Sequence, residues 1–202
     1  MPEAIDYGRA WAAGTGAPME VQMTGLPERM IGAMKADVET LTEIEADPNA
    51  LVQAITVIVI AGVAALIGNI WRPGGLTGAI FGMVMSLIGY AVFALLVFVI
   101  GTKLMPEPAT KATFQETFRT IGFAAAPGVF NVLQIIPFLG PVIGFFVGLW
   151  SLVIAVIATR EVLDYTSTGR AIIVCIIAAA VVMFIWMMMV IVMFGAAMIS
   201  QM

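Results

Sequence analysis

The chain has 202 residues, 61% of them hydrophobic and 11% charged, with thirteen acidic side chains against nine basic ones and a formal net charge of −4. Soluble domains average roughly half apolar and a quarter charged, so a water-soluble fold is excluded and nucleic acid is not an expected partner. Histidine is absent, cysteine occurs once, and no H-E-x-x-H, G-x-S-x-G or phosphate-loop pattern is present; without general bases, zinc ligands or thiol nucleophiles, neither an enzyme nor a cofactor or metal site is expected.

Residues 1–25 are rich in Gly, Ala and Pro, lack periodicity and read as a mobile tail. No apolar stretch lies between a basic start and a cleavage site in the first fifty residues, so no signal peptide is expected. Over 26–47, Met30, Ile31, Met34, Val38, Leu41 and Ile44 recur at helical spacing and predict one amphipathic helix. Its acids, Glu28, Asp37, Glu39, Glu43, Glu45 and Asp47, outnumber Arg29 and Lys35. A helix seated on anionic lipid is basic on its polar face, so this one is expected in the cytoplasm with its stripe packed on the protein's own loops. Asp47 and Pro48 predict a cap and opening position for the first span.

Four charge-free apolar stretches follow, at 51–71, 76–102, 120–159 and 171–201. About 20 helical residues cross the hydrocarbon core, so the third stretch is two spans, parted where Pro137, Gly140 and Pro141 break a helix. The predicted fold class is therefore an all-α polytopic membrane protein: one domain over 48–202 with five transmembrane helices, at about 51–70, 76–101, 114–136, 141–159 and 170–199.

Alternating sides from span to span leaves Arg9, Arg29, Lys35, Lys103, Lys111, Arg119, Arg160 and Arg170 with the N-terminus and Arg72 alone opposite; all the acids also lie with the N-terminus. Cytoplasmic flanks carry the Lys/Arg excess. The expectation is a multi-pass protein of the cell's inner (cytoplasmic) membrane, with the N-terminus in the cytoplasm and the C-terminus outside.

Within the spans, small residues are the informative ones. Gly78 and Gly82, Ala124 and Gly128, and Gly140, Gly144 and Gly148 recur at four-residue spacing, which lets helix backbones approach closely. Packing inside one copy is the expected use, a homo-oligomer the alternative. Pro127 deprives the Phe123 carbonyl of its helical donor and predicts a kink. Asn131 and Gln134, one turn apart, either satisfy carbonyls freed by the prolines or line a small polar cavity. No Asp, Glu, Lys or Arg falls at mid-span, which argues against a pump or coupled transporter. Cys175 has no partner for an intrachain disulfide, and the methionines of 183–193 point all around their helix, which favours packing over copper ligation.

Thr113 and Glu116 match a capping box opening the third span. Arg119, Arg160 and Arg170 are expected at one membrane level, either paired with Glu116, Glu161 and Asp164 or holding a lipid phosphate. The stretch around them, FRTIGFAAAPGVFNVLQIIPFLGPVIGFFVGLWSLVIAVIATREVLDYTSTGRAI over 118–172, with EIEADPNALVQAI over 43–55, resembles bacterial members of the Yip-domain family, membrane proteins related to the Ypt/Rab-interacting proteins of the Golgi. The D-L-Y-G-P motif that precedes the spans in eukaryotic relatives is missing here. Together with the five spans and the cytoplasmic N-terminus, the similarity covers roughly residues 28–200, and it implies no catalytic residues. The expected function is a non-enzymatic scaffold that recruits a cytoplasmic partner or shapes membrane. An accessory subunit of a larger membrane complex is the alternative, and a passive small-solute or lipid pathway a third reading.

Overall fold

The computed structural model describes residues 25–72 and 75–199; apart from Gly25, the tail expected over 1–25 lies outside the described residues. Those residues form helices and no strand: α1 Leu26–Met34, α2 Val38–Ala46, α3 Ala50–Asn69, α4 Gly75–Val99 running on through a π turn Ile100–Leu104, α5 Phe114–Phe123, a 3-10 helix Ala126–Ile135, α6 Gly140–Val162 and α7 Thr168–Ile199.

Among the described residues four helices, not the expected five, are long and apolar enough to cross a membrane: Ala50–Asn69, Gly75–Leu104, Gly140–Val162 and Thr168–Met189. The difference lies in 114–136. Instead of a kinked helix, the chain leaves the α conformation at Phe123, four residues before Pro127, because the proline ring supplies no donor to the Phe123 carbonyl. It continues with tighter bonds, such as Gly128 N–H to the Ala125 carbonyl at 2.8 Å. A 3-10 helix rises about 2.0 Å per residue against 1.5 Å in an α-helix, so α5 and the 3-10 helix together reach about 35 Å, enough to run beside all of α3.

They run parallel to α3 and very close to it. A Cβ on Gly122 would stand 2.8 Å from the Cβ of Ala54, and one on Gly128 2.6 Å from that of Ala61; one on Gly68 would collide with the Asn131 carbonyl. Small residues on both partners thus bring the backbones together, and α3 is the most enclosed of the long helices, with 39% of its apolar window buried against 17% for α4 and α7. The buried residues Ala54, Val57, Ile58 and Ala61 of α3 meet Ile121, Phe123, Ala124, Ala125 and Ala126 in one core, completed by Ala94 and Val97 of α4, Ile154 and Ala158 of α6 and Val174 and Ala178 of α7.

The single helix expected over 26–47 is two. Ala36 takes a left-handed backbone (φ 56°), and Asp37 caps α2 by accepting from the Thr40 N–H at 3.1 Å and the Thr40 hydroxyl at 2.5 Å. The turn redistributes the expected stripe: Leu41 and Ile44 are buried, while Ile31 and Val38 are exposed. Nor does the hairpin rest on loops alone. It packs on α5, the 3-10 helix and α6, and the Trp150 indole N–H donates to the Met34 carbonyl at 2.9 Å. Trp150 is the eleventh of the 23 residues of α6, so the hairpin tip reaches halfway along that helix. Asp47 does not cap α3 as expected. Its carboxylate takes the Asn49 N–H and Arg29, and the helix opens at Ala50.

The packing predicts a graded response to bulk. Gly128→Leu has to push α3 away at Ala61 and should lower stability by about 3 kcal/mol or more, as overpacked cores do. Gly148→Leu, where nothing lies within 4 Å of the added Cβ, should leave thermal unfolding in detergent within about 0.5 kcal/mol. Equal effects of the two would refute the close α3 contact.

Candidate functional site

Polar side chains collect at the end of the bundle where α3 begins, in three knots. The first is built on Arg29, which is only 1% exposed. Its guanidinium donates to Glu43 at 2.7 and 3.2 Å, to Asp47 at 2.8 Å and to Gln53 at 2.9 Å, tying α1 to α2 and to the first turn of α3. Burial opposes its charge, but the bonds and charges of Glu43 and Asp47 outweigh that and raise its pKa. Asp47 is held below the usual carboxylate range: burial works against ionisation, and the bonds from Arg29 and Asn49 prevail.

Arg119 anchors the second knot. The capping box at its helix start is as expected, with Glu116 N–H on the Thr113 hydroxyl at 3.3 Å and Thr113 N–H on Glu116 at 2.7 Å. Arg119 is 7% exposed; it donates to the Glu45 carbonyl at the end of α2 and lies 3.9 Å from the Glu116 carboxylate. Its Nε is buried without a hydrogen-bond partner. The Glu45 side chain is pushed up to about 7, first by burial, then by the charges of Asp164 and Glu116, with Arg119 opposing and Glu161 adding.

In the third knot, Glu107 accepts from the Thr166 N–H and hydroxyl at 3.0 Å each, and from Arg170 at 3.3 Å. The bond from the Thr166 backbone is the main reason its carboxyl stays low, with Arg170 helping against a burial penalty. The Tyr165 hydroxyl donates to the carbonyls of Met105 (2.8 Å) and Gly101 (3.2 Å), which the π turn leaves open. Arg160 is exposed and reaches the Tyr165 carbonyl at 3.4 Å. Arg119, Arg160 and Arg170 are therefore divided among separate partners within the chain.

At the opposite end, the Gln134 amide donates to Asn131 at 2.6 Å and accepts from Arg72 at 3.5 Å. The pair bonds to itself and to Arg72, and Gln134 borders a cavity of about 690 Å³. Gly140 and Gly144 press on Gln134, Gly128 on Ala61 and Ala124 is buried, whereas Gly148 and Gly82 have open space before them and Gly78 is exposed. Gly62, Gly68, Gly101 and Gly122 make close contacts that four-residue spacing did not single out. Halfway along the bundle, a second cavity of about 360 Å³ lies between α4, α6 and α7, lined by Tyr90, Phe93, Ser151 and Trp186 among others. Its walls are mainly apolar, with the hydroxyls of Ser86, Tyr90 and Ser151 and the indole of Trp186 among them.

Arg29, Glu45, Glu107 and Tyr165 were not singled out from the sequence. A trace was there for Arg29, which lies one turn from the buried Ala33 and faces acids four residues apart, Glu43 and Asp47.

The Yip1 domain matches residues 31–196, from within α1 almost to the end of α7. The chain belongs to the Yip1 domain family. Membership, with the apolar helices, makes it a membrane protein. Neither a search of curated proteins nor one of solved structures finds a match.

The shifted Glu45 should make hairpin docking in this Yip1-domain protein depend on pH. A carboxyl raised from 4.5 to about 7 binds more protons folded than unfolded, so its own contribution to stability is full below about pH 4.5 and is lost as pH rises through about 7. After division by the intrinsic base-catalysed rate at each pH, hydrogen exchange of the 26–46 amides should give an opening free energy higher at pH 5.5 than at pH 8 by on the order of 1 kcal/mol. Glu45→Gln should remove the difference; a persisting slope would assign it to another group.

Proposed function

We propose that this Yip1-domain protein is a non-enzymatic membrane scaffold that engages a protein partner through its N-terminal hairpin and the polar end of the bundle. One observation carries the reading. Lys35, Asp37 and Glu39 are exposed on the hairpin tip, beside a tryptophan at the half-length of α6. Charged groups facing hydrocarbon at such depth are costly, and Ile31 and Val38 lie open next to them. A surface both charged and apolar at that level is suited to a protein cover. The absence of histidine from the sequence, and of charged residues from the middle of the spanning helices themselves, supports a role without chemistry or coupled transport.

A second reading is an accessory subunit, with the hairpin face permanently filled inside a larger complex. A homo-oligomer is a version of the first: Lys35 stands next to Asp37 and Glu39, so a two-fold pairing could set opposite charges against each other. We further propose the inner (cytoplasmic) membrane, the N-terminus in the cytoplasm and the C-terminus outside, and a place among bacterial Yip-domain proteins; the charge asymmetry about Arg72 supports this orientation. Arg160 and Arg170, both exposed, are the members of the arginine level open to lipid phosphate.

Purification from native membrane in mild detergent separates the readings. A monomer, dimer or substoichiometric complex is expected of a scaffold, whereas a stoichiometric large assembly would make the protein an accessory subunit. Reporter tags at residues 1 and 202 should read cytoplasm and exterior; the same compartment for both would overturn the topology.

A further inference from the structure

We infer that Arg72 is the centre of an anionic-lipid site at the far end of the bundle, taking the phosphate of a lipid headgroup. The argument begins with charge. No Asp or Glu side chain occurs in 51–106, 117–160 or 165–202, which include every described residue of this end. Arg72 is exposed, and among the described residues it meets no carboxylate within ion-pair distance; its one hydrogen bond is the long 3.5 Å contact with the neutral Gln134 amide. Every other arginine of the described bundle has a closer or charged partner: Arg29 with Glu43 and Asp47, Arg119 with Glu116, Arg170 with Glu107 and Arg160 with the Tyr165 carbonyl. A guanidinium carries five N–H donors, so most of those on Arg72 are open, and its counter-charge has to come from outside this set of side chains.

The space and the depth fit a lipid. Arg72 lines the cavity of about 690 Å³ with Gly68, Trp71, Gln134, Phe138 and Gly140. Gln134, steadied by Asn131 at 2.6 Å, sits behind the guanidinium. Trp71 and Phe138 are 82% and 96% exposed and flank the opening at the end of α3 and the start of α6. A tryptophan at the end of a span, as Trp71 is, belongs to the headgroup level, where phosphate oxygens are within reach of an arginine side chain. Guanidinium and phosphate match as a two-pronged hydrogen-bonded pair.

The test is native mass spectrometry of the purified full chain titrated with phosphatidylglycerol, comparing the parent with Arg72→Gln, Arg72→Lys and a charge control at the other end, Lys111→Gln. The expected result is about tenfold weaker retention in Arg72→Gln, an intermediate loss in Arg72→Lys and none in Lys111→Gln. Equal retention by the parent and Arg72→Gln would overturn the site, as would an equal loss in Lys111→Gln, which would mark a general charge effect. Inorganic phosphate provides the second arm. If it displaces the lipid from the parent at equal concentration, the ligand is a soluble anion and the lipid assignment fails; if the lipid stays, the assignment stands.

Discussion

The close approach of α3 to the chain between Phe114 and Ile135 is the constraint from which the rest of this fold follows. Away from water there is little hydrophobic drive between helices, and association depends on how near the backbones can come. Ala54, Ala61 and Gly68 on one side and Gly122, Gly128 and the Asn131 backbone on the other leave no side chain in the way. Pro127 belongs to the same device. By ending α5 and forcing a tighter, longer-stepping helix, it lets a segment of 22 residues (114–135) follow α3 from Ala54 to Gly68 and deliver Gln134 next to Arg72. A ten-residue 3-10 helix is unusual, since runs beyond three or four residues are uncommon. Here its cost is offset by enclosure, with Ala126, Pro127 and Gly128 all buried.

The N-terminal hairpin fills what that irregular segment leaves beside it. Its attachment is polar at both ends: Arg29 binds it to the start of α3, and Met34 accepts from Trp150, which stacks on Phe130 at 5.8 Å. Removing one partner of a buried, hydrogen-bonded ion pair is far more damaging than the pair is stabilising, so Arg29 acts as a specificity element that commits α1 and α2 to one position. Arg119 performs a related task at the end of α2, although with an acidic neighbourhood of Glu45, Glu116, Glu161 and Asp164 around it. The hairpin is therefore held by buried ion pairs as well as by Ala33, Leu41 and Ile44 in the core, while the helices it leans on are held by shape.

What could be read in advance divides along the same line. The long apolar helices were visible because 18 or more uncharged residues have few alternatives, and the capping box at Thr113 was visible because its logic is local. The loss of the fifth continuous span was not, since proline more often kinks a helix than converts ten residues to another form. The single helix expected over 26–47 failed for a similar reason: the apolar periodicity runs unbroken from Met30 to Ile44 through Lys35, Ala36 and Asp37, and only the left-handed Ala36 together with the Asp37 cap reveals the turn. Of the glycines chosen by spacing, those facing the 3-10 segment and its exit are in contact, while Gly82 and Gly148 face open space and Gly78 is exposed. Four-residue spacing identifies a smooth face but not which neighbour it will meet.

The two ends of the bundle are chemically unlike, and this bears on what each can bind. Where α3 begins, every described arginine is already engaged by a carboxylate or a carbonyl of the chain, and the surplus is acidic. An anionic ligand there must compete with Glu116 for Arg119 and with Glu107 for Arg170, whereas a protein surface can use the exposed acids and the open Ile31 and Val38 together. Where α3 ends, the only charged side chain among the described residues is cationic and faces neutral amides. Satisfied charge favours recognition by shape and register, and unsatisfied charge favours a small counter-ion. A scaffold built this way would present its protein-binding features at one end and fix its depth against lipid at the other, with the α3 contact setting the distance between them.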